Sequence, residues 1–519
     1  MKLKKLLEGV THDPIVGGED LEITGVVYDS RKVIPGCLFV CLRGEKADGH
    51  AFIWDALRAG AAALVVEELP GEMVDATALE YEEVVELSGD EVDSADAVDS
   101  ADDVVYSTDA VVVRVKDSRS ALAHISATWF GNPAEQMTMI GITGTKGKTT
   151  TTHMIKRILE KSGQKVGMIG TIGAFIGEKK LPVKNTTPES YELHSLFSQM
   201  REEGCSSVVM EVSSQGLKQK RTEGIHFDYA VFLNISPDHI GAGEHADFEE
   251  YLACKKLLFY QAERTVVNID AEHWSEVISG AKDRITVSTR QSADFCGSDI
   301  ENVWEPGLLG TSFLLSGRAE GRITLNMPGR FNVENALIAI AVTTCMGVDM
   351  LRITEALAEV SVKGRTQVLK EVSHFSTFLI DYAHNALSME SLLQTLKEYK
   401  PKRLICLFGG GGNKPKQRRY DMGLVAGKYS DLTILTMDNP RYEEMDKINQ
   451  DIICGLKVHD GKYQIIDDRE EAIRYLIDHC DRDDMVALIG KGHEEYQEVK
   501  GVKYPFSEEE VVARYLETK

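Results

Sequence analysis

The sequence predicts an α/β protein built from three domains. Its 519 residues exceed what one hydrophobic core usually organises, and strand-length apolar runs alternate with helical or loop segments along the chain. One apolar run, at residues 137–140, is followed by a glycine-rich turn at 141–147 and then by a helical pattern of apolar residues. Alternation of this kind indicates mainly parallel sheets that are covered by helices on both faces.

The turn between this strand and helix has the features of a phosphate-binding loop. Its backbone N–H groups can converge on phosphate oxygens, Lys148 can reach the outer phosphates of ATP, and the Thr149 hydroxyl can hold Mg²⁺. The loop is a shortened variant of the P-loop signature. A glycine turn without a ligand is the alternative. The candidate nucleotide-binding residues are Gly144, Thr145, Lys146, Gly147, Lys148, Thr149 and Thr150.

Changes of pattern divide the chain into three parts. Residues 1–115 contain short strand-like pieces, the first of them at 21–28. Residues 116–362 begin with a helix predicted over 118–129 and contain the P-loop. Residues 363–519 repeat the alternation of strands and helices, which predicts a Rossmann-like domain.

An acidic insertion at residues 71–110 interrupts the first domain. It contains fourteen Asp and Glu residues and no Lys or Arg. Low complexity and few aromatic residues favour a solvated, mobile segment, and an acidic docking arm is the alternative.

Charge and hydropathy exclude several classes of protein. The net charge of −24 argues against nucleic acid as a partner. No apolar run approaches the roughly 20 residues of a membrane span, and residues 1–7 are too short and too quickly polar for a secretory signal. The nine cysteines lack a C-x-x-C pair, so we expect reduced thiols in a cytoplasmic protein.

Polar residues gather where the predicted central strands end, and the carboxyl ends of parallel strands usually build the site. Glu211 closes one strand, and His239 lies just beyond another. Alone, Glu211 could cap a helix and His239 could be an ordinary loop histidine. Together beside a P-loop, they suit a divalent metal near the triphosphate.

Four strand ends in the third domain also carry polar motifs. The segments 381–384, 409–412, 438–441 and 490–494 each follow an apolar run. An arginine at the end of segment 438–441, with the pair Arg418 and Arg419 available nearby, suits recognition of a planar carboxylate. The sequence therefore predicts that an acid binds there.

Taken in order, these motifs resemble those of the Mur ligases, and the resemblance covers nearly the whole chain outside the insertion. Singly several motifs are weak, but their order is highly specific. The matching segments are 29–31, 144–150, 185–188, 211–214, 255–259, 328–335, 381–384, 438–441 and 490–494.

The resemblance implies an ATP-dependent ligase that forms an amide bond. ATP would phosphorylate the free D-glutamyl carboxylate of UDP-MurNAc-L-Ala-D-Glu, and the amine of an amino acid would displace phosphate from the acyl phosphate. Such chemistry depends mainly on positioning and charge neutralisation. The implied partners are these small molecules, with two Mg²⁺ ions and CO₂ for carbamylation of a lysine; we expect a monomer without nucleic-acid or membrane partners.

The resemblance also assigns roles to single positions. Lys148, Glu211, His239 and Lys255 would be catalytic, with Thr149, Glu211, His239 and carbamylated Lys255 at the metal. The nucleotide would also meet Asn335, Arg365 and Asp381. The UDP-linked substrate would contact Ser30, Asn185, Thr186, Thr187, Ser213, Gln219 and Arg221. Without the family, Lys255 is typical of a helix-surface lysine, because Lys256 follows it.

The incoming amino acid would bind in the third domain, at Arg419, Asp438, Asn439, Pro440, Arg441, Gly490 and Glu494. This set matches the branch of the family that takes meso-diaminopimelate, where Arg441 would pair with the distal carboxylate and Glu494 with the distal ammonium. Lysine lacks that carboxylate and would leave Arg441 unpaired. Ligation of L-lysine, another ligase such as folylpolyglutamate synthase, and a non-catalytic nucleotide-binding regulator are the alternatives.

Overall fold

The structure is a computed structural model, and it describes residues 1–15, 18–44, 47–68, 110–237, 240–241, 244–305, 308–369, 372 and 376–518. Nearly all of the predicted acidic insertion lies outside these ranges, as does His239 of the expected metal site. Within the described ranges, no helix is both long and apolar enough to cross a membrane.

A four-stranded parallel sheet, in the order β1-β2-β3-β4, forms the first domain. Its elements are α1 (Leu3–Leu6), β1 (Val26–Val27), β2 (Leu38–Val40), α2 (Ile53–Arg58), β3 (Ala63–Val66) and β4 (Val111–Arg114). The strand predicted over 21–28 is wrong for its first part. Residues 21–23 pair with the N-terminal residues instead, because Ile23 N donates to Met1 O and Leu3 N to Leu21 O.

The second domain is built on an eleven-stranded sheet in the order β15-β14-β13-β12-β11-β10-β5-β9-β6-β7-β8. Strands β13 to β6 in this order pair in parallel, and antiparallel hairpins extend both edges. The strands are β5 (Thr138–Thr143), β6 (Val166–Gly170), β7 (Gly173–Ile176), β8 (Lys179–Leu181), β9 (Ser207–Glu211), β10 (Phe227–Phe232), β11 (Ala262–Asn268), β12 (Asp283–Ser288), β13 (Phe295–Glu305), β14 (Leu308–Gly317) and β15 (Gly321–Leu325).

Helices cover both faces of this sheet. They are α3 (Ser118–Trp129), α4 (Lys148–Lys161), α5 (Ser190–Glu202), α6 (Ser214–Lys218), α7 (Phe248–Tyr260), α8 (Trp274–Val277), α9 (Arg330–Cys345) and α10 (Met350–Glu359). The period-2 geometry of β5 sends Ile140 and Ile142 into the core under α4 and α9, and Met139 into the core under α5 and α7. The helix predicted over 118–129 is confirmed, with Asp117 as its N-cap.

The third domain has a six-stranded sheet in the order β16-β17-β21-β18-β19-β20, parallel except for the edge strand β16. A separate hairpin of β22 and β23 follows β21. The elements are β16 (Gln367–Val368), β17 (Thr377–Asp381), α11 (Ala386–Lys397), β18 (Arg403–Phe408), α12 (Lys416–Tyr429), β19 (Leu432–Leu435), α13 (Met445–Leu456), β20 (Tyr463–Ile465), α14 (Arg469–His479), β21 (Asp484–Ile489), β22 (Tyr496–Val499), β23 (Val502–Pro505) and α15 (Glu508–Glu517).

A buried ion pair joins α14 to α15. Arg469 Nε and Nη2 both donate to Glu508 Oε1, at 2.9 and 2.7 Å, and the two side chains are 0% and 2% exposed. Arg469 Nη2 also donates to Ile489 O at 3.0 Å, so the arginine ties both helices to the end of β21. A buried pair of this kind is costly to break from one side.

We expect Glu508→Ala to lower the free energy of unfolding by about 3–5 kcal/mol, because it leaves the Arg469 charge buried without a carboxylate. The matched control is Glu510→Ala, which removes an exposed carboxylate from the same first turn of α15. Urea unfolding followed by circular dichroism measures both. Equal losses in the two variants would show that the helix N-terminus, and not the ion pair, sets the effect.

Candidate active site

The P-loop lies between β5, which ends at Thr143, and α4, which begins at Lys148. Gly147 has φ of 87°, and a Cβ there would approach Asn335 Oδ1 to 2.5 Å, so the position requires glycine. Lys148 Nζ donates to Gly144 O at 2.8 Å and Thr145 O at 3.1 Å, which closes the loop on itself. The N-terminal N–H groups of a 14-residue helix therefore stand beside a lysine, as an anion site requires.

Glu211 connects the P-loop to the neighbouring strand ends. Its side chain is 2% exposed and accepts hydrogen bonds from Thr149 Oγ1 at 2.9 Å, Thr171 N at 3.0 Å and Thr171 Oγ1 at 3.2 Å. Thr186 Oγ1 lies 3.0 Å from Thr171 Oγ1. The result is a cluster of carboxylate and hydroxyl oxygens, which is the donor type that Mg²⁺ prefers.

The described residues supply only part of the expected metal site. Among them, no group of three or more His, Cys, Asp or Glu side chains could hold a metal ion. His239, the expected partner of Glu211, lies outside the described ranges. The described donors are therefore Glu211 and Thr149, with Lys255 across the loop.

Lys255 is buried, so the surface interpretation of this lysine is wrong. Its side chain is 1% exposed, and Nζ donates to Gly144 O at 3.1 Å. The ammonium also lies 4.5 Å from the ring centroid of Tyr251, one helical turn earlier on α7. The Tyr251 hydroxyl in turn lies 2.9 Å from Thr145 Oγ1. The sequence interpretation missed Tyr251, although its i, i+4 spacing from Lys255 was available.

Most residues expected at the UDP-linked substrate come together beside Glu211. Thr187 Oγ1 donates to Glu211 O at 3.0 Å and accepts from Ser213 N at 3.0 Å. Arg221 Nη1 donates to Thr187 O at 2.9 Å, and Nη2 donates to the Gln219 side chain. Asn185 is exposed and Thr186 is half-buried in the preceding loop.

Ser30 belongs to the first domain and has no described contact with this group. It begins a 3-10 turn whose N-cap, Asp29, accepts from Arg31 N, Nε and Nη2, and Arg31 holds the pKa of Asp29 down to about 2. The local geometry is thus a capped turn with an exposed arginine. A bridge to the central domain lies nearby, where Tyr28 Oη donates to Glu192 Oε1 at 2.6 Å.

The residues expected on the other side of the nucleotide split between two domains. Asn335 lies on α9, where Nδ2 donates to Asn332 Oδ1 at 3.2 Å. Asp381 ends β17 and accepts from Thr366 N and Ala383 N, both at 2.7 Å. Arg365 stacks over the ring of Tyr382, with 4.9 Å from Cζ to the centroid. Burial raises the pKa of Asp381, and Arg365 opposes that shift.

Three of the residues predicted to bind the amino acid, Asp438, Asn439 and Glu494, converge around a buried lysine that sequence reasoning did not single out. Lys491 is fully buried, and Nζ donates to Asn439 Oδ1 and Glu494 Oε2, both at 3.1 Å, and to Asp438 Oδ1 at 3.5 Å. Asn439 Nδ2 donates to Glu494 Oε2 at 3.0 Å. Lys491 belongs to segment 490–494 and contacts Asp438 and Asn439 of segment 438–441. The two segments therefore lie side by side.

The two arginines of this region differ in their surroundings. Arg441 Nη1 donates to Gly412 O at 2.7 Å, and Nε donates to Glu498 Oε2 at 3.2 Å. Arg419 is 2% exposed, and its guanidinium is held by Glu443 at 2.8 Å, Asp451 at 3.1 Å and the Gly411 carbonyl. Arg418 points elsewhere, to His384 O. Glu498 carried no signal in the sequence.

Comparison with protein families finds three matches along the chain. The Mur ligase family catalytic domain matches residues 22–130, the Mur ligase middle domain matches residues 142–343, and the Mur ligase glutamate ligase domain matches residues 364–492.

Two relatives are similar over their whole length. The UDP-N-acetylmuramoyl-L-alanyl-D-glutamate--2,6-diaminopimelate ligase of Caldanaerobacter subterraneus subsp. tengcongensis is 40% identical over 519 residues, which is 99% of each chain. The ligase of the same name from Clostridium perfringens is 36% identical over 526 residues and 100% of each chain.

Solved structures share the fold. A UDP-N-acetylmuramoyl-L-alanyl-D-glutamate--2,6-diaminopimelate ligase has a TM-score of 0.68 and 26% identity, covering 100% of this chain and 99% of the other. The MurF ligase of Thermotoga maritima in complex with ADP has a TM-score of 0.58 and 18% identity, covering 96% of this chain and 98% of the other, and supports the fold alone. The predicted three-domain α/β class is confirmed.

We expect Gly147→Ala to weaken ATP binding at least tenfold, because its Cβ would clash with Asn335 and its backbone would be strained by about 1–2 kcal/mol. The matched control is Gly163→Ala at the other end of α4, where φ is 93° and nothing lies within 4 Å of the added Cβ. This control carries the backbone strain without the clash. Calorimetric titration with ATP distinguishes them, and equal affinities would contradict the expectation.

Proposed function

The chain belongs to the Mur ligase family, and we propose that it joins meso-2,6-diaminopimelate to the D-glutamyl carboxylate of UDP-MurNAc-L-Ala-D-Glu. ATP is converted to ADP and phosphate in the reaction. The main support is 36–40% identity over the full length of ligases that carry this name. A chemical reason is added by the contacts of Asn439, which bonds to Glu494 and, like Arg441, to Glu498.

The first step is phosphoryl transfer from ATP to the D-glutamyl carboxylate. The α4 N-terminus and Lys148 hold the triphosphate, and Asn335, Arg365 and Asp381 contact the nucleotide from its other side. Mur ligases use ATP and Mg²⁺, and Thr149 and Glu211, with His239 as a further ligand, would hold the ion, which would neutralise phosphate charge. Lys148 and the N–H groups of α4 offset the negative charge of the triphosphate, which favours approach of the anionic carboxylate to the γ-phosphorus.

The second step is attack of the amine on the acyl phosphate. The tetrahedral species that forms expels phosphate and leaves the amide. The UDP-linked substrate is held beside Glu211 by residues of the central domain, while Ser30 meets its uridine end; the central residues are Asn185, Thr186, Thr187, Ser213, Gln219 and Arg221. Holding both reactants in one cleft replaces a bimolecular encounter with an intramolecular one.

Lys255 acts in this proposal as a carbamate. The Lys255 ammonium first loses a proton, and the neutral amine then takes up CO₂ and releases a second proton, so that a buried cation becomes an anion. Burial at 1% exposure, 3.1 Å from the Gly144 carbonyl, supports the modification, because an ammonium there would repel a metal ion at the phosphates. The carbamate oxygens add to the oxygen donors around Thr149 and Glu211.

The diaminopimelate molecule binds across the loop surface of the third domain. Arg441 pairs with the distal carboxylate, and Glu494 with Asp438 pairs with the distal ammonium, while Asn439, Pro440 and Gly490 shape the surface. Arg419 lies behind it, and its two carboxylate partners suit a role in holding the loop rather than in contacting the amino acid. Lys491 balances the acidic side chains of the site.

We assign the UDP-MurNAc-binding domain, with its acidic insertion at 71–110, to residues 1–115, the ATP-binding domain to residues 116–362 and the amino-acid-binding, Rossmann-like domain to residues 363–519. We also propose that the protein is a monomer that works in the cytoplasm. All nine cysteines lie within the described ranges and form no disulfide there, which supports a reducing compartment.

Ligation of L-lysine is the second candidate, and one observation favours it. Arg441 is already paired with Glu498, so a substrate without a distal carboxylate does not leave the guanidinium unpaired.

The function is tested by phosphate release from ATP, Mg²⁺ and UDP-MurNAc-L-Ala-D-Glu with meso-diaminopimelate, L-lysine or no amino acid. We expect release that depends on diaminopimelate. Arg441→Ala should raise KM for diaminopimelate at least about tenfold without changing KM for ATP, because the carboxylate loses its cation. Phosphate release with lysine but not with diaminopimelate would overturn the assignment of diaminopimelate as the amino acid. Phosphate release without the UDP-linked substrate would overturn the proposed ligase activity.

The carbamate is tested by comparing Lys255→Ala with Lys256→Ala, its half-buried neighbour on α7. We expect Lys255→Ala to reduce kcat by about 100-fold or more, through the loss of a charged group at the reacting phosphates, and Lys256→Ala to retain activity. In ¹³C-bicarbonate, the wild-type protein should show a carbamate carbon resonance that Lys255→Ala lacks. A full-strength resonance in Lys255→Ala would place the modification elsewhere.

A further inference from the structure

Glu498 is held beside Arg441 by backbone hydrogen bonds. Arg441 N donates to Glu498 O at 3.0 Å, and Lys500 N donates to Arg441 O at 2.6 Å. Strand β22 therefore runs parallel to the end of segment 438–441, which we call the acceptor loop because it is proposed to bind the amino acid. Glu498 N donates to Asn439 Oδ1 at 2.9 Å. Two hydrogen bonds of the Glu498 backbone therefore fix its position without involving its carboxylate, and the bond from Lys500 to Arg441 supports them.

The Arg441 guanidinium is partly occupied by groups of the chain itself. Nε donates to Glu498 Oε2 at 3.2 Å, and Nη1 donates to Gly412 O at 2.7 Å. Across the described part of the chain, Nη2 has no hydrogen-bond partner. The side chains of Arg441 and Glu498 are 28% and 22% exposed, so both reach solvent and a ligand can reach them.

We propose that Glu498 is a specificity-determining residue, a built-in carboxylate that competes with the distal carboxylate of the amino acid for Arg441. This inference rests on the proposed function, in which Arg441 reads that carboxylate. A dicarboxylic acceptor must bring a second negative charge next to Glu498, which weakens its binding. Lysine meets an arginine that is already neutralised, so its binding is penalised less.

Glu498 acts on selectivity through its charge rather than by orienting Arg441. The backbone of Arg441 is fixed in a left-handed conformation, with φ of 51°, by its hydrogen bonds to β22, and its Nη1 is fixed by Gly412. A glutamine at position 498 retains an oxygen acceptor for Nε and removes only the charge. Exposure to solvent limits the size of the effect.

The test compares Glu498→Gln and Glu498→Ala with the wild type in steady-state ligation of meso-diaminopimelate and L-lysine. Glu498→Gln should lower KM for diaminopimelate about three- to tenfold and weaken lysine use by a similar factor, with kcat and KM for ATP unchanged. In an Arg441→Ala background the same substitution should no longer weaken lysine use, because the arginine that Glu498 neutralises is absent, whereas the relief of repulsion on the distal carboxylate of diaminopimelate remains. The matched control is Glu444→Gln, three residues from Arg441, whose carboxylate pairs with the exposed Lys447 at 2.9 Å.

Direct binding separates failure of this inference from failure of the proposed function. Calorimetric titrations of the wild type and Glu498→Gln with each amino acid measure the preference without turnover. Absence of diaminopimelate-dependent phosphate release in the wild type would overturn the proposed function, and the titrations would still decide the role of Glu498. An unchanged preference in Glu498→Gln, weaker diaminopimelate binding, or no binding of either amino acid to this variant would overturn the inference.

Discussion

The buried carboxylate of Glu211 is the constraint around which the central domain is arranged. An ionised group at 2% exposure is costly unless its oxygens are hydrogen-bonded, and here the donors come from both flanking elements, Thr149 at the P-loop and Thr171 after β6. A Cβ on Gly170 would lie 2.2 Å from Glu211 Oε1, so the residue at this end of β6 must lack a side chain. The ends of β5, β6 and β9 are thereby fixed relative to one another.

The third domain also buries a charged group among hydrogen-bonding partners, but here the group is a cation. A fully buried ammonium, that of Lys491, is surrounded by oxygens of Asp438, Asn439 and Glu494. The backbone links this cluster to the nucleotide side, because Gly490 N donates to Asp381 O at 3.0 Å. A residue proposed to contact ATP and a loop proposed to hold the amino acid therefore belong to one hydrogen-bonded unit.

Local patterns in the sequence carried much of the fold and part of the site. The P-loop and the helix from Ser118 to Trp129 depend on near neighbours in the chain, so their residues predict them directly. Residues 21–23 were misjudged because their partners are the distant N-terminal residues, and no period in the segment reveals that choice. Without the family resemblance the adjacent Lys256 favours a surface position for Lys255, and that interpretation is wrong because burial on a helix is decided by what packs against it. Glu498 escaped notice because its partner is 57 residues away.

The four-glycine loop, residues 409–412, packs closely against the loop that is proposed to bind the amino acid. This packing restricts which substitutions can enlarge the amino-acid site. A Cβ at Gly412 would lie 1.8 Å from Pro440 O, and one at Gly409 would lie 2.1 Å from Thr436 O. Because these contacts are between backbone atoms, neither loop can move apart from the other to make room for a larger amino acid. The hairpin of β22 and β23 is more exposed and lies outside the main sheet. Laboratory evolution toward bulkier acceptors should therefore accumulate its substitutions in that hairpin and leave the glycines untouched.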